Sequence, residues 1–384
     1  MARKFGKKAE VSLNPLDYTM YLIGESGIGK STVIKNYCET LAGDDGYIFL
    51  TCGKEADQAT IEGIVQEPVW NWDKYDEVTS DILEHRFDDY KDLKVAVIDT
   101  IDELMAMAEE ETVRLWNREN LKNPDKQTKQ FKATYGGFNG PTDKAISLVL
   151  DRLWELKRVG VSFIIIGHTK RTEYTDPVSL QTYSMLSTNM DKRYFNAIKN
   201  KADFGGVAYI DRDIDRVKTG KRNVVTKKDE VIGKVTGERR LICFRDDSYA
   251  IDSKSRFADV VDKIPMDADE LRTAIEDAIK KERAKSGVSY DAAVEKQKAR
   301  AAKDEDEQKA RAEDYVKLHQ QNALDDLEAN RDRWVEMIQD NYPDLSNAKK
   351  SSIRAISAEV GGLKLNDPDF PIDRLKEIVD IIVA

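Results

Sequence analysis

Short, nearly uninterrupted apolar runs recur along the first two thirds of the chain. Tyr18 to Ile23 (YTMYLI), Tyr47 to Cys52 (YIFLTC), Val95 to Ile98 and Phe163 to Ile166 are the clearest. Strands buried on both faces read this way, whereas half-exposed strands alternate. Between them, about Lys30 to Leu41 and Lys144 to Arg158 carry helical spacing. Strand, helix, strand in repetition predicts an α/β fold around a mostly parallel sheet with right-handed crossovers. Later runs, Gly206 to Asp211, Arg239 to Phe244 and Ser248 to Ile251, read as antiparallel strands.

Near residue 265 the pattern changes. Asp267 to about Arg333 shows no strand period and little apolar content. Alternating charges among Ala, Gln and Glu there predict a long solvated helix. Beyond it, Trp334, Val335, Ile338, Ile353, Ile356, Val360 and Leu363, then Leu375, Ile378, Ile381 and Ile382, space as a small helical module. The expected division is a basic segment (1–17), a core (18–265), a charged helical linker (266–333) and a C-terminal helical module (334–384). Trp70 and Trp72 are expected to pack under the loop that follows them.

Composition narrows the picture. Lys and Arg number 61 against 71 Asp and Glu in 384 residues, a net charge of −10. Bulk charge therefore does not coat a nucleic acid; a local basic patch would have to. Three cysteines, Cys38, Cys52 and Cys243, have no metal-ligand spacing and suit a reducing compartment. No apolar run approaches the roughly 20 residues of a membrane span. The basic N-terminus (Arg3, Lys4, Lys7, Lys8) lacks an apolar stretch after it, so no secretion signal is read there.

One segment carries explicit chemistry. Gly24-Glu25-Ser26-Gly27-Ile28-Gly29-Lys30-Ser31 fits the phosphate-loop pattern, followed by Thr32 near the nucleoside. Its glycines let consecutive N–H groups face phosphate oxygens, and the helix beginning at Lys30 adds its positive end. Lys30 is expected on the β- and γ-phosphates of ATP and Ser31 on Mg²⁺. The run VAVID delivers Asp99 to a strand end, where it would hold Mg²⁺ through water. His168 ends the fourth strand and is placed to sense the γ-phosphate.

GESGIGKS, then AVIDTIDEL, then a Gly-rich loop and helix leading to FIIIGHTK, resemble the phage-type RecA-like P-loop ATPases, a group that includes single-strand annealing proteins. The resemblance covers about residues 15–285. It implies a RecA-like core, ATP hydrolysis, and a homo-oligomeric ring or filament on single-stranded DNA. It also implies a catalytic glutamate just beyond the second strand, which is Glu55, with Glu103 and Asp102 as rivals. No acid follows Asp99 directly, and Gly53 and Lys54 displace Glu55 from the strand end. Lys254 and Arg256 resemble a cation pair that relatives offer to the neighbouring subunit's γ-phosphate. A phage-encoded protein of this kind would act in the host cytoplasm.

Two long connections interleave cations with rings, the composition of single-strand binding. The first, Arg114 to Pro141, holds Lys129 and Lys132 with Trp116, Tyr135 and Phe138; the second, Thr169 to Asp203, holds Lys170, Arg171, Lys192, Arg193 and Lys199 with Tyr174 and Tyr194. A third cluster, Lys218 to Lys234, reads as a β-hairpin arm that includes Lys227 and Lys228. The helical tail is a candidate surface for a single-strand binding protein or a nuclease. Two other readings stay open: a P-loop switch or scaffold acting on protein partners, and a ring-shaped DNA motor.

Overall fold

The computed structural model describes residues 10–53, 61–120, 123–176, 179–222, 229–245, 255–285, 287 and 290–383. Glu55, Lys227, Lys228, Lys254, the expected strand Ser248 to Ile251 and the basic positions 3–8 lie outside these residues. The chain divides into two compact units, Met1–Arg311 and Ala312–Ala384.

In the first unit the apolar runs become the middle of one sheet. Its strands are β1 (Met20–Gly24), β2 (Tyr47–Cys52), β3 (Gln66–Val69), β4 (Val95–Asp99), β5 (Ser162–Thr175), β6 (Thr182–Thr188), β7 (Phe204–Arg222), β8 (Asp229–Cys243) and β9 (Lys263–Pro265). Their order is β3-β2-β4-β5-β1-β7-β8-β9, with β6 paired to β5 off this path. Strands β3, β2, β4, β5, β1 and the start of β7 run parallel. The helices are α1 (Lys30–Ala42), α2 (Trp72–Glu84), α3 (Ile101–Glu119), α4 (Gly140–Arg158), α5 (Lys192–Lys201) and α6 (Ala268–Ala284), followed by the start of α7 (Tyr290–Asn341). Leu22, Ile34, Phe49, Val97, Ile166 and Phe204 lie in one core cluster at 2% exposure or less. Each such side chain contributes about 1.5–3 kcal/mol by leaving water. No helix among the described residues is long and apolar enough to cross a membrane.

The structure corrects several expectations. Strand β7 pairs both ways: Val207 to Asp211 lie antiparallel to Cys243 to Arg239, as expected, but Phe204 to Ala208 also pair parallel with Met20 to Gly24, which joins this set to the parallel sheet. Strands β6 and β8 run against the parallel set, and β9, antiparallel to β8, runs with it again. Strand β5 does not stop at Ile166 but continues to Thr175, pairing with β6 from Thr169↔Thr188 to Thr175↔Thr182. The second long connection is therefore a hairpin followed by α5. The basic cluster from Lys218 falls on the β7–β8 hairpin, as expected. His168 and Ala208 both pair with Gly24, the last residue of β1. Both hairpins thus extend past the end of β1, one on each side of it.

The boundary at 265 also moves. Helix α6 buries Leu271, Ala274, Ile275, Ala278 and Ile279 in the sheet's own core cluster. Sequence reading missed this burial because those five positions are diluted by nine charged residues of the same helix and their partners on α1 and β9 are distant in sequence. Trp72 packs on the Tyr75 ring at 5.1 Å, but Trp70 is 49% exposed and does not pack under a loop.

In the second unit, the end of α7, α8 (Asn347–Glu359) and α9 (Ile372–Val383) enclose a separate core of Val335, Ile338, Ile353, Ile356, Phe370, Leu375, Ile378 and Val379. Trp334, Val360, Leu363, Ile381 and Ile382 pack against it. All eleven apolar positions expected in this module therefore contribute.

Candidate active site

The phosphate loop sits where β1 ends. Gly27 and Gly29 adopt φ of 72° and 108°, which L side chains resist. Gly24 is required for another reason: a Cβ there would lie 2.8 Å from the Ala208 carbonyl oxygen. The loop can follow β1 only because β7 approaches so closely. Lys30 is 6% exposed and folds back over the loop, its Nζ donating to the carbonyls of Gly24 (3.0 Å) and Glu25 (2.9 Å). The Ser31 hydroxyl donates to Asp99 Oδ2 at 2.6 Å, joining the start of α1 to the end of β4. Ser26, Gly27, Gly29, Lys30, Ser31 and Thr32 line an open cleft of about 340 Å³ with Ile61, Asp99, Thr100 and His168.

Strand β5 lies between β1 and β4, so His168 arrives at this cleft from the middle of the sheet. Its partner is Asp102, on the first turn of α3. The His168 backbone N–H donates to Asp102 Oδ2 at 2.9 Å, and the ring Nδ1 lies 3.3 Å from the same oxygen. Gly167 makes this approach possible. A Cβ there would meet Ile101, Ile23 and Asp102 at 3.1–3.4 Å. Asp102 is thus an orienting group for His168 rather than a carboxylate presented to water. Its second oxygen, Oδ1, is buried without a hydrogen-bond partner among the described residues, as is the Thr100 hydroxyl at the cleft floor.

Of the two other acids considered as base, Glu55 lies outside the described residues. Glu103 covers Gly53, the last described residue before that segment, so closely that a Cβ on Gly53 would overlap its carboxylate. Glu103 therefore stands at the root of the segment bearing Glu55. Beneath it, burial first, and the Asp99 and Glu103 charges second, push the Cys52 thiol far up. That thiol is no nucleophile at neutral pH.

Sequence reading missed Arg240. It stands on β8, and its Nη1 donates to the Ile28 carbonyl at 3.1 Å, bracing the loop from outside. The two residues are 212 apart, and an arginine in a strand carries no local sign of such a partner. Arg256 is brought elsewhere. Its guanidinium meets Asp203 Oδ1 at 3.3 Å and the Asn200 carbonyl at 2.7 Å. Asp203 in turn accepts from Thr19, just before β1, so Arg256 lies at the N-terminal end of β1, away from the phosphate loop at its other end.

The family described as an AAA domain matches residues 16–236, more than half the chain. The chain belongs to the AAA-domain family of P-loop ATPases. No curated protein matches the chain. An AAA-type P-loop binds nucleotide, generally with Mg²⁺, and the donor set here fits that ion. A hydroxyl and a carboxylate converge within 2.6 Å, both hard oxygen ligands of the kind Mg²⁺ takes alongside waters and phosphate oxygens. Ser31 would ligate it and Asp99 would hold it through water. When bound, the ion neutralises charge on the β- and γ-phosphates.

The residues expected to meet DNA scatter into different surroundings in this AAA domain. Tyr194 is overturned as a contact: it is 6% exposed, and its hydroxyl donates to Glu109 at 2.6 Å. It shares the buried face of α5 with Phe195 and Ile198, which pack into the domain. Arg193 forks onto the Asp143 carboxylate. Lys192 and Lys199 lie over the rings of Tyr174 (5.9 Å) and Phe195 (5.8 Å), and Lys170 donates to the Asn189 carbonyl. Arg171, Lys129 and Lys132 are exposed.

Proposed function

We propose that this AAA-domain protein hydrolyses ATP to drive work on single-stranded DNA, as an oligomer, in annealing or recombination steps of phage DNA metabolism. The observation that carries the reading is the placement of the phosphate loop. It leaves the end of β1 between β5 and β7, the two strands that flank β1 and run on past it into hairpins. In this reading the loop N–H groups and Lys30 bind the triphosphate, and Ser31 and Asp99 orient its metal. A carboxylate takes the proton of the attacking water. Glu55 is the proposed base and Glu103 the runner-up. His168, held by Asp102, reads the terminal phosphate, and its strand leads without a break into the β5–β6 hairpin.

Lys254 and Arg256 are proposed to act on the neighbouring subunit. Arg256 is half exposed at the end of β1 away from its own phosphate loop, which supports that role. Its ion pair with Asp203 would have to open first. The C-terminal helical unit is proposed as the docking surface for a single-strand binding protein or nuclease, in a cytoplasmic setting.

The test is ATP turnover by the full chain with and without oligo(dT), at two salt concentrations, beside Lys30→Ala. Stimulation by oligo(dT) that is lost in Lys30→Ala is the expected result. Turnover that needs Lys30 but ignores DNA overturns the DNA part and directs attention to protein partners. Glu55→Gln against Glu103→Gln separates the two bases.

A further inference from the structure

The loop between α3 and α4 contains four consecutive residues in left-handed backbone. Tyr135, Gly136, Gly137 and Phe138 have φ of 41°, 79°, 68° and 49°. Glycine accepts this freely, whereas an aromatic L residue is strained there. The turn is closed by Gly137 N–H to the Thr134 carbonyl (2.8 Å) and Gly140 N–H to the Gly137 carbonyl (3.0 Å). Thr134 is fully buried and anchors it. At Gly140 a Cβ would sit 2.0 Å from the Tyr135 carbonyl oxygen. The whole loop is therefore built to hold this one conformation.

For Tyr135 the strain is offset inside the chain. Its hydroxyl donates to Glu119 at 2.9 Å, its ring meets Trp116 edge-on at 5.2 Å, and Lys144 lies 5.6 Å from its centroid. Phe138 has no such return. It is 93% exposed, the most exposed of the large apolar side chains among the described residues. A rigid turn that spends strain to hold a bare ring in water points to a partner that covers the ring.

The surroundings select the partner. Lys132 abuts the turn, its carbonyl 3.3 Å from where a Gly137 Cβ would lie. Lys132 and Lys129 are exposed and make no ion pair among the described residues. Glu119 is occupied by Tyr135 and Asp143 by Arg193, and Asp125, earlier in the same connection, is exposed. Arg193 of α5 ties to Asp143 on the first turn of α4, and Lys192 of α5 lies over Tyr174 of the β5 hairpin. The second connection is thus joined to the helix that follows the first.

We propose that Phe138 is the base-stacking residue of a single-stranded nucleic-acid site, with Lys129 and Lys132 meeting the phosphates. This rests on the reading that the chain binds single strands. A ring worth one stacked base, with cations beside it, is the arrangement such sites use.

The test uses the full chain and labelled oligo(dT) in fluorescence anisotropy, with Phe138→Ala and Phe138→Trp. Phe138→Ala is expected to weaken binding about tenfold with no change in melting temperature, since the ring buries nothing. Phe138→Trp is expected to bind like wild type and to lose emission as oligo(dT) is added. If wild type binds and Phe138→Ala binds as tightly, this inference fails and the parent reading stands. If wild type does not bind, both fail. If Phe138→Ala leaves oligo(dT) binding intact but lowers the mass measured by light scattering, the ring is a subunit contact and the proposal is overturned.

Discussion

Replacing Tyr194 separates a stability role from a DNA role at one position. The side chain is 6% exposed, and its hydroxyl crosses from α5 to Glu109 on α3 at 2.6 Å. Tyr194→Phe removes that hydrogen bond and the one the same hydroxyl shares with the Thr142 side chain, and leaves the ring in place. A bond to a charged acceptor contributes about 1.5–3 kcal/mol, but Glu109 is partly open to water and rehydrates, so the net cost is about 1 kcal/mol. Tyr194→Ala also empties the space between Phe195 and Ile198 and costs about 3–4 kcal/mol. For a unit of this size, that is a drop in melting temperature of roughly 2–4 °C for Phe and about 10 °C for Ala. Thermal unfolding by circular dichroism measures both, and oligo(dT) anisotropy well below the transition measures DNA affinity. Both variants are expected to melt early and bind DNA like wild type. A Tyr194→Phe variant that melts normally and loses affinity would refute the burial argument.

Two further outcomes follow from the cleft and the core. Asp102→Ala frees the His168 ring, so kcat for ATP turnover is expected to fall about tenfold, or about 1.4 kcal/mol of transition-state energy, with KM little changed. Asp102→Asn keeps an oxygen for the His168 N–H and should recover most of the rate; wild-type kcat in Asp102→Ala would remove Asp102 from the mechanism. The phenols of Tyr18, Tyr37, Tyr75 and Tyr194 are all pushed above their ordinary value of 10.0, chiefly by burial. The unfolded chain therefore releases these protons first, so stability is intact below about pH 10 and falls as pH rises beyond it. The melting temperature should decline from pH 10 upward, with phenolate absorbance rising as the fold is lost. Ionisation of all fifteen tyrosines near pH 10 with near-ultraviolet circular dichroism unchanged would contradict this.

What could be read from the sequence was local. The phosphate loop is eight contiguous residues whose glycines and lysine answer to one ligand, and it folds as expected. The buried strands announce themselves because four to six apolar residues in a row have no wet face to offer. The C-terminal helices announce themselves because their apolar positions repeat at helical spacing. What only the tertiary structure decided depends on partners far along the chain. The direction of β7 follows from where its crossover enters the sheet, and the residues of β7 look the same either way. The continuation of β5 past His168 is stabilised by β6, not by a core, so its polar run HTKRTEYT gave no strand signal. Tyr194 and Phe138 are both aromatic residues among lysines. One lies inward because α5 turns that face to the domain, and the other outward because a glycine-rich turn holds it there. Composition cannot tell these apart, since burial is a property of what packs against a residue and not of the residue itself.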